Sequence, residues 1–239
     1  MKDHSSELDR IRTEYNRRDG GGDKKTYDPL SPAYIYVRQE IERHLAVLLR
    51  KHVSKSGTSE GLAGMKLLDV GAGSGAFLEM FAQLGFKRRD IFGVDLMPGR
   101  LFDARENFTA ENIACCDAAF LPFAESSFDV VSQFTVFSSV LSDEMKRRIA
   151  SEMTRVTKPG GHVVWYDMIV TNPMNKNLRG IGYREIERLF GTRPTAVKRI
   201  VLNPWILRPL LKASRTLCDC LAFFGLLNSF YLVLARIEK

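Results

Sequence analysis

Between Leu67 and Gly75 the chain reads Leu67-Leu68-Asp69-Val70-Gly71-Ala72-Gly73-Ser74-Gly75, an apolar run closed by an acid and then glycine at every second position. The apolar-periodic segment Ala76-Phe77-Leu78-Glu79-Met80-Phe81-Ala82 follows directly. That order predicts a buried strand, a tight turn and a helix start, because glycine takes positive φ and lets a ligand approach the bare backbone. A second apolar run, Ile91-Phe92-Gly93-Val94, ends in Asp95. An acid at the end of the second strand, about twenty residues beyond the turn, is placed to accept both hydroxyls of a ribose. Turn and acid together imply a nucleoside-bearing cofactor; a helix N-cap is the plainer reading of Asp95 alone.

The spacing narrows the cofactor. Dinucleotide folds use Gly-x-Gly-x-x-Gly, whose amides and helix N-terminus hold a pyrophosphate. Here the glycines fall at Gly71, Gly73 and Gly75, with Asp69 just ahead of them. A carboxylate there repels a pyrophosphate but can receive an ammonium group, directly or through water. The pattern Asp-x-Gly-x-Gly-x-Gly resembles the first motif of class I S-adenosylmethionine-dependent methyltransferases. Two later segments are similar to landmarks of the same family. Leu121-Pro122-Phe123-Ala124-Glu125-Ser126-Ser127-Phe128-Asp129-Val130-Val131 looks like its fourth-strand motif, and Glu152 to Gly161 like its helix and turn before strand five. The likeness runs from about Leu62 to Val170. Glu14-Tyr15-Asn16-Arg17-Arg18 and Trp165-Tyr166-Asp167-Met168 resemble segments of a subgroup of small bacterial members, associated with glycan and natural-product modification.

Alternating strand and helix patterns predict an α/β fold with a doubly wound sheet. Strands are expected at Lys66–Val70, Ile91–Leu96, Ile113–Cys116, Phe128–Phe134, His162–Met168, Ala196–Leu202 and Phe230–Ile237. Helices are expected after the glycine turn to Leu84, from Pro98 to Asn107, Ser142 to Val156, Gly182 to Phe190, and over the apolar stretch Trp205 to Leu227. The resemblance implies a Rossmann-like seven-stranded sheet whose last strand is antiparallel. The expected organisation is an N-terminal cap and helix over residues 1–62 and a methyltransferase domain over 63–239, with a basic region from about 171. Ser31-Pro32 suits a helix start, followed by Tyr36, Ile41, His44, Leu45, Val47, Leu48 and Leu49 as a mostly apolar face. The first thirty residues are polar, with Gly20 to Lys25 as a flexible break, although Ile11, Tyr15 and Tyr27 interrupt that composition.

Composition bounds the rest. Hydrophobic content of 45% and charged content of 26% suit a globular protein. The N-terminus has no apolar stretch, and the four cysteines have neither a zinc-site spacing nor the look of a disulfide framework, so a reducing cytoplasm is the expected compartment. No metal site is expected. From Thr171 onward twelve Lys and Arg face four Asp and Glu, which exceeds the whole chain's excess of +7. A basic lobe beside a cofactor domain suggests an anionic acceptor or surface, and a solvated basic face is the alternative.

For the cofactor the family implies S-adenosyl-L-methionine, held by Asp69, Gly71, Gly73, Gly75, Asp95 and Leu96, by Asp117 at the adenine amino group with Ala118 facing the ring, and by Gln133 and Phe134 at the end of strand four. A base is expected near strands four and five, where Tyr166 and Asp167 stand, although neighbouring strand residues face opposite ways. His44 and His52 are weaker candidates on the N-terminal helix, and His162 reads as structural. The loop Asn172 to Gly180 places Asn175 and Arg179 where an acceptor could be held. Strand four lacks the Asn/Asp-Pro-Pro-aromatic motif of enzymes acting on nucleobase amines, and no Pro-Cys nucleophile or acid cluster follows it. The leading expectation is therefore O-methylation of a sugar, glycolipid or secondary-metabolite hydroxyl by in-line transfer. An RNA methyltransferase using the basic lobe and a non-catalytic cofactor-binding member remain as alternatives. Thr216 to Ala235 is apolar but interrupted by Asp219 and Asn228, so no transmembrane span is expected, while a peripheral contact for a lipid-linked substrate stays open.

Overall fold

Seven strands form one sheet in the order β3-β2-β1-β4-β5-β7-β6. They are β1 (Leu67–Val70), β2 (Ile91–Asp95), β3 (Ile113–Cys115), β4 (Phe128–Phe134), β5 (Thr157–Met168), β6 (Ala196–Leu202) and β7 (Asn228–Arg236). The first five are parallel; β7 runs antiparallel to both β5 and β6. The computed structural model describes residues 2–20, 28–171 and 174–239.

Parallel strands buried on both faces need apolar runs without polar alternation, and β1 is buried at all four positions. Its side chains still alternate. Leu67 points into a core with α2 (Pro32–Leu48), α3 (Ala76–Leu84) and α4 (Phe102–Asn107). Leu68 and Val70 point into the opposite core, filled by Met145, Ile149 and Met153 of α5 (Asp143–Val156) and by Ile186 and Phe190 of α6 (Tyr183–Phe190). The Ser142 hydroxyl accepts from Met145 N–H (3.3 Å) and so caps α5, as its Ser-Asp-Glu start implies.

Four features differ from the sequence expectation. The polar N-terminus is a helix, α1 (Lys2–Gly20); the glycine break falls on 21–27, outside the described residues. In α2, Tyr36, Ile41, Leu45 and Leu48 are buried, but Val47 is exposed. The Lys158-Pro159-Gly160-Gly161 segment lies inside β5 as an irregularity, where pairing jumps from Phe128↔Thr157 to Val130↔His162. The stretch Trp205 to Leu227 is two helices, α7 (Pro204–Ala213) and α8 (Arg215–Phe224), because Ser214 adopts an extended backbone and its hydroxyl caps α8 by accepting from Leu217 N–H (3.2 Å).

The turn after β1 needs glycine for two separate reasons. Gly71 and Gly73 have φ of 80° and 51°, and a Cβ at Gly71 would sit 2.3 Å from Val136 Cγ2, whereas one at Gly73 would meet nothing nearer than 4.0 Å. Left-handed backbone alone costs an L-residue about 1–2 kcal/mol. Gly73→Ala should therefore lose about that much in urea unfolding, and Gly71→Ala clearly more. Adding Val136→Ala should recover the difference for Gly71→Ala and nothing for Gly73→Ala; equal losses in both single variants would contradict the clash.

Candidate functional site

Strand order reverses between β1 and β4, where the carboxyl ends of parallel strands leave a crevice. A cavity of about 470 Å³ opens there, within the range of small-ligand sites. The glycine turn forms its floor. Gly71 and Ala72 N–H both donate to Val94 O (2.8 and 2.9 Å), stitching the turn onto β2. Gly73 N–H donates to Asp95 Oδ2 (2.9 Å) and Met97 N–H to Asp95 Oδ1 (2.8 Å). Each carboxylate oxygen thus has one backbone donor and keeps acceptor capacity at the cavity edge, where Asp95 lies almost buried.

Leu96, Asp117, Ala118 and Phe134 also line the cavity. Asp117 Oδ1 accepts from Ala119 N–H (2.9 Å), and its Oδ2 lies 2.6 Å from Nε2 of His4, a partner on α1 that sequence reasoning missed. Three of the expected cofactor residues stand behind the wall. Gln133 faces the α5 side and is fully buried; its Nε2 donates to Tyr166 O (3.3 Å) and its Oε1 accepts from Val136 N–H (2.9 Å). That clamp helps hold Thr135, a wall residue, at φ 59°, a strained conformation for a β-branched side chain. Gly75 starts α3 against Ala104. Asp69 is wholly buried, its Oδ1 accepting from Ser132 Oγ (2.6 Å) while Oδ2 has no protein partner. Burial pushes its carboxyl up to about 7, the Ser132 hydrogen bond working against this and the Asp95 charge adding to it.

The two expected catalytic residues separate. Tyr166 lines the cavity, its phenol held neutral by burial. Asp167 points to the other face of the sheet, where it accepts from Ser138 N–H (3.0 Å) and Met168 N–H (2.8 Å). Burial raises its carboxyl to about 6, partly offset by those hydrogen bonds. Asp167 thus braces the β4–α5 connection and does not stand as the expected base at the cavity. The two expected acceptor contacts also move: Arg179 pairs with Asp143 and Glu185, and Asn175 Oδ1 accepts from Asn177 N–H (3.0 Å) within its own loop. Asn172 lies outside the described residues. His44, His52 and His162 do not line the cavity.

An N-terminal cap was expected over the site, but the helix α1 that forms much of it was not. Leu8, Ile11, Tyr15 and Arg18 of α1 all face the cavity. Their three- and four-residue spacing was the signal, obscured by charged neighbours. Glu7 pins α1 to the start of α5, its Oε1 accepting from Leu141 N–H (2.5 Å) and Ser142 N–H (3.3 Å). Tyr34, Val37, Arg38 and Ile41 of α2 close a second side, and Leu207 and Arg208 of α7 a third. One wall is a row of four aromatic rings: Phe77 stacks on Phe134 at 3.7 Å, Phe134 meets Tyr166 at 5.9 Å, and Tyr166 stacks on Phe230 at 5.0 Å.

Residues 68–165 match a family described as a methyltransferase domain. A demethylmenaquinone methyltransferase of Renibacterium salmoninarum is 35% identical over 101 residues, covering 42% of this chain and 40% of that protein. A ubiquinone/menaquinone biosynthesis C-methyltransferase of Burkholderia cenocepacia is 32% identical over 118 residues, 47% of each chain. The chain thus spans less than half the length of these curated relatives. A crystal structure of an S-adenosylmethionine-dependent methyltransferase from Mesorhizobium loti superposes with a TM-score of 0.53 at 19% identity, over 76% of this chain and 99% of that one, and so shares the fold.

Asp69 makes a pH prediction. Its folded-state pKa of about 7 lies above the ordinary 3.8, so the folded protein holds that proton more tightly than the unfolded one. The resulting stabilisation is complete below about pH 4 and is lost as pH rises through about 7. Asp69→Asn keeps an acceptor for Ser132 but does not titrate. Urea unfolding should show the variant gaining on wild type from pH 4 to pH 8; parallel profiles would refute a buried titrating acid.

Proposed function

We propose that this chain, whose residues 68–165 match a methyltransferase domain, uses S-adenosylmethionine to methylate a planar, largely apolar small molecule. The row of four rings from Phe77 to Phe230 carries this reading, because it lines one cavity wall with aromatic edges against which the face of an acceptor ring can pack.

The cofactor fits the opposite end. Asp95, with one backbone donor on each oxygen, has acceptor capacity left for two ribose hydroxyls. Asp117 and Ala118 suit the adenine edge, and the side-chain-free Gly71 and Gly73 leave room beside the turn. The unpartnered Asp69 oxygen lies buried beneath the turn and outside the cavity lining, so it reaches an ammonium group only through a bridging water. When bound, the cofactor supplies a sulfonium methyl with a good leaving group, so the protein's task is alignment and exclusion of water.

The protein's own residues favour an acceptor that ionises easily. Among the described residues, the carboxylates lining the cavity are Asp95 and Asp117, both at the cofactor end, and no histidine lines it. A sugar hydroxyl needs a general base to lose its proton, and Asp167 faces away. A phenol or enol needs less help. Arg18 and Arg38 line the same space, and Arg18 Nη2 is buried without a protein partner, which favours an oxygen anion nearby. The relatives named for menaquinone and ubiquinone biosynthesis, one of them a C-methyltransferase, agree with a ring acceptor, and they do not support the sugar acceptor expected from sequence.

The test is release of S-adenosylhomocysteine in the presence of quinols and planar phenols against a panel of simple sugars. Turnover with the first group alone is expected; turnover with sugars alone would overturn the proposal, and none with any acceptor would favour the non-catalytic alternative. Asp95→Ala should weaken cofactor binding at least about tenfold, since a lost charge-assisted hydrogen bond costs roughly 1.5–3 kcal/mol. Unchanged calorimetric affinity would remove Asp95 from the ribose.

A further inference from the structure

Between β6 and β7 the chain inserts the helical hairpin α7–α8, and one end of it is unusually apolar for a surface. Asn203 N–H donates to Leu227 O (3.0 Å) and Asn228 Nδ2 to Ala222 O (2.9 Å). These bonds set the first turn of α7 beside the last turn of α8. Trp205, Phe223, Phe224 and Leu226 stand at that end with exposures of 68, 86, 71 and 80%. The inner side of the hairpin is satisfied: Leu207 and Cys218 are buried with Tyr36 and Leu202. The outer side therefore places large apolar groups in water with no core left for them to join, the mark of an interaction surface.

Charge identifies the partner. Residues 203–228 hold Arg208, Lys212 and Arg215 against the single acid Asp219. Arg199 of β6 adds a cation at the apolar end, its Nη2 donating to Asn228 O (2.8 Å). Trp and Phe at one end, with Arg199 and Arg208 nearest them and Lys212 and Arg215 at the far bend, match a bilayer interface, where aromatic rings sit at the acyl boundary and cations among anionic headgroups. A second copy of this chain is a poorer occupant, because a symmetric contact would bring two like-charged hairpins together. Among the described residues no helix is long and apolar enough to cross a membrane, so the hairpin would lie on the surface.

We propose that the α7–α8 hairpin seats the protein on an anionic lipid bilayer, with Trp205, Phe223, Phe224 and Leu226 inserted to interfacial depth. The position carries a consequence, since Pro204, Leu207 and Arg208 of the same helix line the cavity. Docking would set that cavity against the membrane, the phase in which an apolar molecule is concentrated. The inference stands on the surface alone and does not require the proposed acceptor.

The chain's two tryptophans allow a test on the unaltered protein: Trp165 is 1% exposed, so Trp205 dominates any change in emission on a ligand surface. Full-length protein is titrated with vesicles of equal parts phosphatidylglycerol and phosphatidylcholine, and with phosphatidylcholine alone. A blue shift with co-flotation on the anionic vesicles, weakened by added salt, is expected. The combined variant Phe223→Ser, Phe224→Ser and Leu226→Ser should bind at least about tenfold more weakly while retaining cofactor affinity. No shift and no flotation would overturn the proposal, as would equal binding to both vesicles. Protection of Trp205 by a concentration-dependent dimer, without any lipid effect, would assign the patch to a second copy instead.

Discussion

The Asp95 carboxylate, held between the Gly73 and Met97 N–H groups, joins the end of β2 to the turn after β1. Without a charge at that point the turn would lose one of its few anchors, since its three glycines carry no side chains to pack. Asp95 also lines the cavity, so one contact shapes the floor and presents the acceptor oxygens proposed to take a ribose. Below it Asp69 is buried close enough for the two charges to oppose each other. Burial first, and the Asp95 charge beside it, raise the deeper carboxyl to about 7, so it titrates near neutral pH instead of staying a fixed charge.

Specificity comes from a different layer. The sheet supplies the cavity floor, whereas α1, α2 and α7 enclose the remaining space and the ring row from Phe77 to Phe230 lines one wall. Two β-branched residues in left-handed conformation, Thr135 and Val201, both line the cavity. Val201 falls where the β6–β7 pairing skips a residue. Strain concentrated at a cavity and held by buried surroundings is what a preorganised binding surface requires.

Legibility followed sequence locality. The strand–turn–helix unit, Asp95 and the span of β4 were readable because apolar runs, glycine spacing and a terminal acid are written in consecutive residues. Asp167 and Gln133 were not, because burial among partners from Ser138 and Val136 depends on which face of the strand each takes. Arg179 looked available to a ligand and is taken up by Asp143 and Glu185, which lie on α5 and α6. Within the expected N-terminal cap, α1 was hidden for another reason: its apolar stripe is narrow, and its docking relies on Glu7 and Arg10 reaching backbone groups of the β4–α5 connection. Polar docking of this kind leaves little hydropathy signal.

The central claim is that this crevice binds a methyl donor through its glycine turn and the end of β2. Calorimetric titration of the full chain with S-adenosylmethionine tests it most directly. One saturable site, reached well below millimolar cofactor and competed by S-adenosylhomocysteine, is the predicted result. The absence of binding heat at millimolar cofactor, with the protein folded by circular dichroism and competitor likewise inert, would contradict the account.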